Sequence, residues 1–137
     1  MEYLAVLVAA LASYGFGAAW YGVLAKQWMA AANLTEADIK SAAGPQGGSA
    51  TPYVVTFAMA LIVAGMMRHV FVTGGVSGLL NGAVSGFGIG AFFASPWIVT
   101  NYTFSMWPRA LALIDCGYAT IGCTLMGIVL VRFGVAA

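Results

Sequence analysis

The sequence predicts an all-α integral membrane protein, a four-transmembrane-helix bundle with a short surface helix between helices one and two. Of the 137 residues, 62% are hydrophobic and 7% are charged, and the mean hydropathy is +0.94. Soluble domains carry about 25% charged residues, so these few charges cannot cover a surface exposed to water. Four apolar segments are each long enough to cross a bilayer, which takes about 20 residues. We therefore expect a single membrane domain over residues 1–137.

The first two membrane helices are predicted over about residues 3–25 and 53–72. The first apolar run follows Met1-Glu2 without the basic region of a removable signal peptide, so we expect a retained helix. The second run follows Thr51-Pro52, and proline is favoured at the first position of a helix.

The last two membrane helices are predicted over about residues 76–103 and 109–131. Pro96 is expected to kink helix three, because its ring removes the backbone hydrogen bond to Phe92. Because helix three is glycine-rich before this proline, we expect it to lie in the interior of the bundle or against a second subunit.

The polar loop over residues 26–50 contains the signals of a short surface helix. Thr35 is a favourable N-cap, and Asp38 stands at the position where a capping box has an acceptor. Glu36 and Lys40 form an i,i+4 pair of opposite charge. Gly44-Pro45 is expected to end this helix.

Small residues recur at every fourth position of helix three, in the pattern of a glycine zipper. Such residues let two helix backbones approach closely inside a bilayer. Helix one has a lesser row of the same spacing, so we favour docking of helix one on helix three; the alternative is that helix three faces a copy of itself. The predicted packing residues are Gly74, Gly78, Gly82, Gly86, Gly90 and Ala94 of helix three, with Ala9, Ser13 and Gly17 of helix one.

Asp115 is the strongest candidate for a functional residue, because an acidic side chain inside a membrane helix is energetically expensive. It could be a proton or cation site, or it could make a structural hydrogen bond near the interface. The candidate polar site around it comprises Asn101, Tyr102, Tyr118 and Tyr21.

Other polar residues have weaker signals. Arg68 and His69 lie near the end of helix two and are candidates for a lipid or ligand contact, with axial ligation of a haem or pigment by His69 as an alternative. Ser77, Asn81 and Ser85 could line a polar path on helix three or make interhelical hydrogen bonds.

Motifs typical of catalysis are missing from the sequence, including His-Glu-x-x-His, Cys-x-x-Cys, a phosphate loop and Gly-x-Ser-x-Gly. We therefore expect no catalytic residue, no metal site and no cofactor, and a protein that is not an enzyme. The net charge is only +1, and the basic residues do not cluster into a stripe along the sequence. This argues against a nucleic-acid partner.

The charges flanking the helices give a weak indication of orientation. Lys26, Lys40 and Arg109 lie on one side, and Arg68 and Arg132 lie on the other. Under the positive-inside rule, this small excess favours both termini on the periplasmic side of a bacterial inner membrane.

Seven segments carry a further resemblance: 3–10, 17–21, 26–29, 34–40, 101–102, 113–118 and 126–127. In order and spacing, along nearly the whole chain, they resemble the small bacterial membrane proteins classed as domain of unknown function 1761. The resemblance implies a four-helix bacterial membrane protein and implies no activity. Members often carry a histidine after the Asp-x-Gly-Tyr motif, where this chain has Ala119, and this departure makes a proton relay through Asp115 less expected.

These observations favour a structural or accessory protein that packs with itself or with a larger membrane complex. The alternative is a small oligomeric transporter or channel that uses Asp115 and the polar face of helix three. A pigment- or haem-associated subunit is a second alternative. The partners we expect are the lipid bilayer and either a second copy of the chain or a larger membrane complex.

Overall fold

The computed structural model of this chain describes residues 2–43 and 50–133, and these form helices joined by short turns. No strand occurs in the described ranges, which confirms the all-α prediction. The helices are α1 (Glu2–Val23), α2 (Ala25–Ala32), α3 (Glu36–Ala43), α4 (Thr51–Thr73), α5 (Leu79–Ile89), a π-helical segment (Gly90–Ala94), α6 (Ser95–Phe104) and α7 (Arg109–Phe133).

Four helical segments of the described chain are long and apolar enough to cross a membrane, as predicted. These segments are α1, α4, the continuous run Leu79–Phe104 and α7. Because the run Leu79–Phe104 is third in chain order, we call it the third span. Most of the large apolar side chains on α1, α4 and the third span point outward, as expected for helices that face lipid. The four-helix membrane architecture is therefore that of the prediction.

The fourth membrane helix, α7, is the centre of the bundle, so helix three does not lie in its interior as one alternative predicted. The other alternative, that helix three lies against a second subunit, stays a prediction. The helices α1 and α4 and the third span all pack against α7, while α1 and the third span do not form a packed pair with each other. The core lies where α1, α4 and α7 meet, with Phe71 and Leu130 fully buried. Leu111, near the start of α7, is buried outside this cluster. The predicted docking of helix one on helix three was wrong, since each of them packs on α7 instead.

The turn between α4 and the third span is longer than the sequence indicated. Gly75 and Gly78 have φ of +63° and +84°, conformations that glycine adopts readily and that side chains with a β-carbon disfavour. The third span therefore begins at Leu79 rather than at Val76. Gly74 caps the end of α4 and Gly78 precedes α5, so neither lies on the packing face of a helix.

The irregularity predicted at Pro96 lies in the turn before it. Residues Gly90–Ala94 are π-helical, and the backbone N–H of Ser95 donates to the Gly90 carbonyl, five residues back. The Ser95 hydroxyl donates to the same carbonyl at 2.8 Å. Proline has no backbone N–H to donate within an α-helix. The α-helix therefore resumes with Pro96 in its first turn, where the backbone N–H groups have no partner within the helix.

The polar segment after α1 holds two short helices, of which the sequence analysis predicted one. The unpredicted helix, α2, follows α1 almost without a break and ends at Asn33, whose φ is +56°. The predicted helix, α3, has a reciprocal capping box. The Thr35 hydroxyl accepts from the Asp38 N–H at 3.2 Å, and Asp38 accepts from the Thr35 N–H at 2.8 Å. The predicted end at Gly44-Pro45 lies outside the described residues.

Candidate functional site

Asp115 is joined to two other helices by tyrosine hydroxyl groups. Tyr21, in the last turn of α1, donates to Oδ1 of Asp115 at 2.5 Å, and Tyr102 of α6 donates to Oδ2. Both carboxylate oxygens therefore accept a hydrogen bond from a tyrosine hydroxyl. Asp115 is half-buried, near the end of α7 that meets the end of α1 and the end of the third span.

The end of α1 is held on α7 by an indole ring and two glycines. Trp20 Nε1 donates to the Ile114 carbonyl at 3.0 Å, and its ring lies where a β-carbon on Gly117 would stand, 2.7 Å from the nearest ring atom. A β-carbon on Gly17 would similarly lie 2.8 Å from the Tyr118 ring. These close approaches place the Tyr21 hydroxyl at the Asp115 carboxylate.

Aromatic side chains surround the carboxylate on the side of α1. The ring centroids of Tyr21 and Tyr118 lie 5.4 Å apart, and those of Phe16 and Tyr118 lie 6.2 Å apart in a stacked arrangement. Tyr102 stacks on Trp107 on the other side, with centroids 6.3 Å apart. The carboxylate therefore lies beside a group of aromatic rings, and the faces of such rings attract positive charge.

Asp115 forms part of the wall of an open cavity of about 790 Å³, which we call the aromatic cavity. Its walls come from α1, α2, α3, the start of α4, and α7. Among the lining residues that the structure describes, five side chains are aromatic, and Asp115 is the only charged one. The lining residues are Tyr14, Gly17, Ala18, Tyr21, Ala25, Trp28, Met29, Ile39, Pro52, Tyr53, Thr56, Asp115 and Tyr118.

The negative charge of Asp115 has no basic partner in the described part of the chain. The salt bridge found there joins Arg68 to Glu2 at 3.0 Å, near the opposite end of the bundle. The described ranges also contain no group of three or more histidine, cysteine or acidic residues arranged to hold a metal ion. What the site can do is bind through one carboxylate and several ring faces.

Of the residues predicted to form a polar site around Asp115, three lie beside it in the structure and Asn101 does not. Tyr21, Tyr102 and Asp115 form one hydrogen-bonded group, and Tyr118 is beside them in the cavity wall. Asn101 is exposed and has no hydrogen bond to Asp115 in the structure. The cavity residues Tyr14, Trp28 and Tyr53 were missed, because nothing in their spacing shows that three separate helices bring them together.

The small residues of the third span pack on α7 from Gly82 onward. A β-carbon on Gly82 would lie 2.7 Å from the Gly127 carbonyl oxygen. A β-carbon on Gly90 would lie 2.7 Å from the Ala119 carbonyl oxygen. A β-carbon on Gly86 would overlap the Cys123 carbonyl oxygen. Ala94 is half-buried. Gly74 and Gly78 are not part of this contact, since both lie in the turn before the helix.

The small residues of α1 are also buried, and they too face α7. Ala9 is fully buried and Ser13 is 3% exposed. A β-carbon on Gly122 of α7 would lie 2.7 Å from the Ser13 Oγ. The glycines of α7 that pack on other helices were missed as packing residues, because their five-residue spacing forms no regular row in the sequence. Gly117 and Gly122 lie against α1, and Gly127 lies against the third span.

The remaining candidates lie away from the aromatic cavity. Arg68 pairs with Glu2, and His69 is exposed beside it. Asn81 is exposed and donates from Nδ2 to the Ser77 carbonyl, and Ser77 itself lies in the turn before the third span. Ser85 is half-buried. Neither His69 nor the Ser77, Asn81 and Ser85 group lines the cavity.

Comparison with known proteins gives one match. A family model described as "Protein of unknown function (DUF1761)" matches residues 4–131. Searches of the curated proteins and of the solved structures gave no match.

Proposed function

We propose that this chain, which belongs to the DUF1761 family, is a non-catalytic accessory membrane protein that holds a small amphipathic ligand in its aromatic cavity. The observation behind the proposal is that Asp115, the acidic residue of α7, forms part of the wall of a cavity of about 790 Å³. Ligand pockets commonly have volumes of roughly 300–1,000 Å³, mostly apolar walls and a few well-placed polar groups.

The position of the cavity supports holding a ligand rather than conducting one. Its lining residues Tyr21, Trp28, Pro52 and Tyr53 come from one end of the bundle, and Asp115 is six residues after the start of α7 at that same end. The polar residues Ser77 and Asn81 lie at the other end and do not line the cavity. A channel or transporter would need polar groups along a path that joins the two ends.

The proposal includes no chemical step. Asp115 accepts hydrogen bonds from two hydroxyl groups, and the cysteine next to it, Cys116, donates from Sγ to the Ser95 carbonyl and is not among the residues that line the cavity. This arrangement supports a role in binding rather than in covalent catalysis. Association with a second copy of the chain, or with a larger membrane complex, stays a prediction.

A matched pair of substitutions tests the proposal. Ala18 lines the aromatic cavity, while its neighbour Ala19, also exposed on α1, does not. We expect a small molecule to be found by native mass spectrometry on protein purified in mild detergent. Ala18→Trp should reduce its occupancy strongly by filling the cavity, and Ala19→Trp should leave it unchanged.

The same experiment can contradict the proposal. It is wrong if the purified protein carries no small molecule and no compound in a panel of amphipathic cations, anions and neutral molecules raises its melting temperature. It is also wrong if Ala18→Trp and Ala19→Trp have equal effects on occupancy. The masses of the intact species report association with a second copy in the same measurement.

A further inference from the structure

We infer that the ligand of the aromatic cavity is an amphipathic organic monocation, such as a quaternary ammonium or phosphonium compound with an aromatic or alkyl body. This inference rests on the proposed function, because it names the class of ligand for the same cavity. Two observations support it: the negative charge of Asp115 on the cavity wall, and the aromatic side chains that line the cavity with Asp115.

The first argument is electrostatic. The described residues of the cavity wall include one acidic side chain, Asp115, and no lysine, arginine or histidine. Among the described residues the observed salt bridge is between Arg68 and Glu2, so no basic side chain of this region neutralises Asp115. An unpaired charge at membrane depth is unfavourable, and a bound cation would relieve that cost.

The second argument concerns the aromatic side chains. Tyr14, Trp28, Tyr53 and Tyr118 stand on the cavity wall with Asp115. Faces of tryptophan and tyrosine attract cations, and groups of such rings recognise quaternary ammonium ligands. Met29 and Ile39 add apolar surface for the uncharged part of the ligand.

Other ligand classes fit the same wall less well. An anion would meet the Asp115 charge without any basic side chain to bind it. A bare metal ion prefers several oxygen or nitrogen ligands, whereas the described residues contain no group of three or more acidic, histidine or cysteine side chains. A neutral apolar molecule would gain nothing from the carboxylate.

A pair of ions with matched shape separates the charge from the apolar contacts. Tetraphenylphosphonium and tetraphenylborate have nearly the same size and apolar surface but opposite charge. Binding of each to the purified full chain is measured by isothermal titration in detergent, with empty micelles as the blank. We expect saturable binding of the phosphonium ion and none of the borate ion above the blank.

Two substitutions locate the binding. Asp115→Asn removes the charge and keeps the shape, and we expect it to weaken binding of the phosphonium ion by about tenfold or more. Glu36→Gln removes one negative charge from α3 outside the cavity and should leave binding unchanged. If Asp115→Asn does not fold, Tyr53→Leu replaces it, since Tyr53 is a largely exposed ring on the cavity wall and its loss should also weaken binding.

The outcomes distinguish this inference from the proposed function. Equal binding of both ions, or equal binding by native protein and the Asp115→Asn variant, overturns the cation inference and leaves a cavity for apolar ligands. If neither ion binds while the purified protein still carries a molecule that Ala18→Trp displaces, only the inference fails. If neither ion binds, the purified protein carries no molecule, and no compound of the panel raises the melting temperature, both the inference and the proposed function fail.

Discussion

Gly86 of the third span lies directly against the backbone of Cys123 in α7, so that a β-carbon on Gly86 would overlap the Cys123 carbonyl oxygen. The same relationship runs in the other direction, since a β-carbon on Gly127 would overlap the Gly82 carbonyl oxygen. Glycine is unfavourable within a helix by about 1 kcal/mol relative to alanine in water. Here it permits backbone contact between two membrane helices, which is the way small residues stabilise such pairs.

The first prediction concerns this contact. Gly86→Leu should force the third span away from α7 and lower the free energy of unfolding by at least about 1–3 kcal/mol, the usual effect of overpacking. Gly88→Leu is the matched control, because a β-carbon there would meet nothing within 4 Å. Melting temperatures in detergent compare the two variants. If both melt at the same temperature as the native protein, the third span does not depend on Gly86 for its packing.

The second prediction concerns the contact of α1 with α7. Gly122→Ala should destabilise the protein, because the new β-carbon would stand 2.7 Å from the Ser13 hydroxyl oxygen. Ser13→Ala removes that oxygen and should restore part of the stability when both changes are combined, since neighbouring residues in contact couple energetically. Gly15→Ala, at an open position of α1, is the control. Simple additivity of the Gly122 and Ser13 effects would contradict the contact.

The third prediction concerns the Asp115 group. Asp115→Asn should cost about 1 kcal/mol or less in stability, because an amide can both accept from and donate to the hydroxyls of Tyr21 and Tyr102. Asp115→Leu leaves both hydroxyls without this partner and should cost about 1–3 kcal/mol. Denaturation of both variants in detergent measures the difference. A loss for Asp115→Asn as large as that for Asp115→Leu would show that the charge, rather than the hydrogen bonds, holds the helices together.

The fourth prediction concerns the pH dependence of α3. Hydrogen bonds from the Thr35 hydroxyl and the Thr35 N–H hold the pKa of Asp38 below its ordinary value of 3.8. Because the folded-state pKa is lowered, the stabilisation of α3 is fully present above pH 3.8. It is lost as the pH falls through the lower, folded-state pKa.

A carboxyl-carbon NMR titration of Asp38 in detergent tests this fourth prediction. Thr35→Val keeps the shape of the side chain and removes the hydroxyl, so it should raise the Asp38 midpoint towards 3.8. An unchanged midpoint in Thr35→Val would mean that the side-chain part of the capping box has no effect on Asp38. Thr35→Val keeps the hydrogen bond from the residue 35 N–H to Asp38, so this bond accounts for any lowering of the Asp38 pKa that remains in the variant.

Much of the fold could be predicted because local signals decided it. Runs of apolar residues marked the four spans to within a few residues, since a bilayer demands that length. The capping pair Thr35 and Asp38 identified the start of α3, because the two residues act on each other's backbone only three positions apart. Helix α2 was missed because it continues α1 after a break of one residue and has no side-chain capping bond at its N-terminus.

The candidate site was predictable only in part. Asp115 was found because a carboxylate in an apolar helix demands partners, and Tyr21 and Tyr102 were near enough in the predicted topology to be named. The cavity beside it was not predicted. Its walls combine residues such as Tyr14, Trp28 and Tyr53 from three helices, and no spacing within one helix reveals that meeting.

By itself, the sequence determined the helical membrane class, the number of spans, the surface helix α3 and the need of Asp115 for partners. These follow from the free energy of placing apolar, polar and charged groups at given depths, which depends on local composition. Only the tertiary structure decided that α7 is central and that the glycines of the third span face it. A row of small residues shows that a close partner exists, but several helices carry such rows. The choice among them depends on how all the surfaces fit together at once.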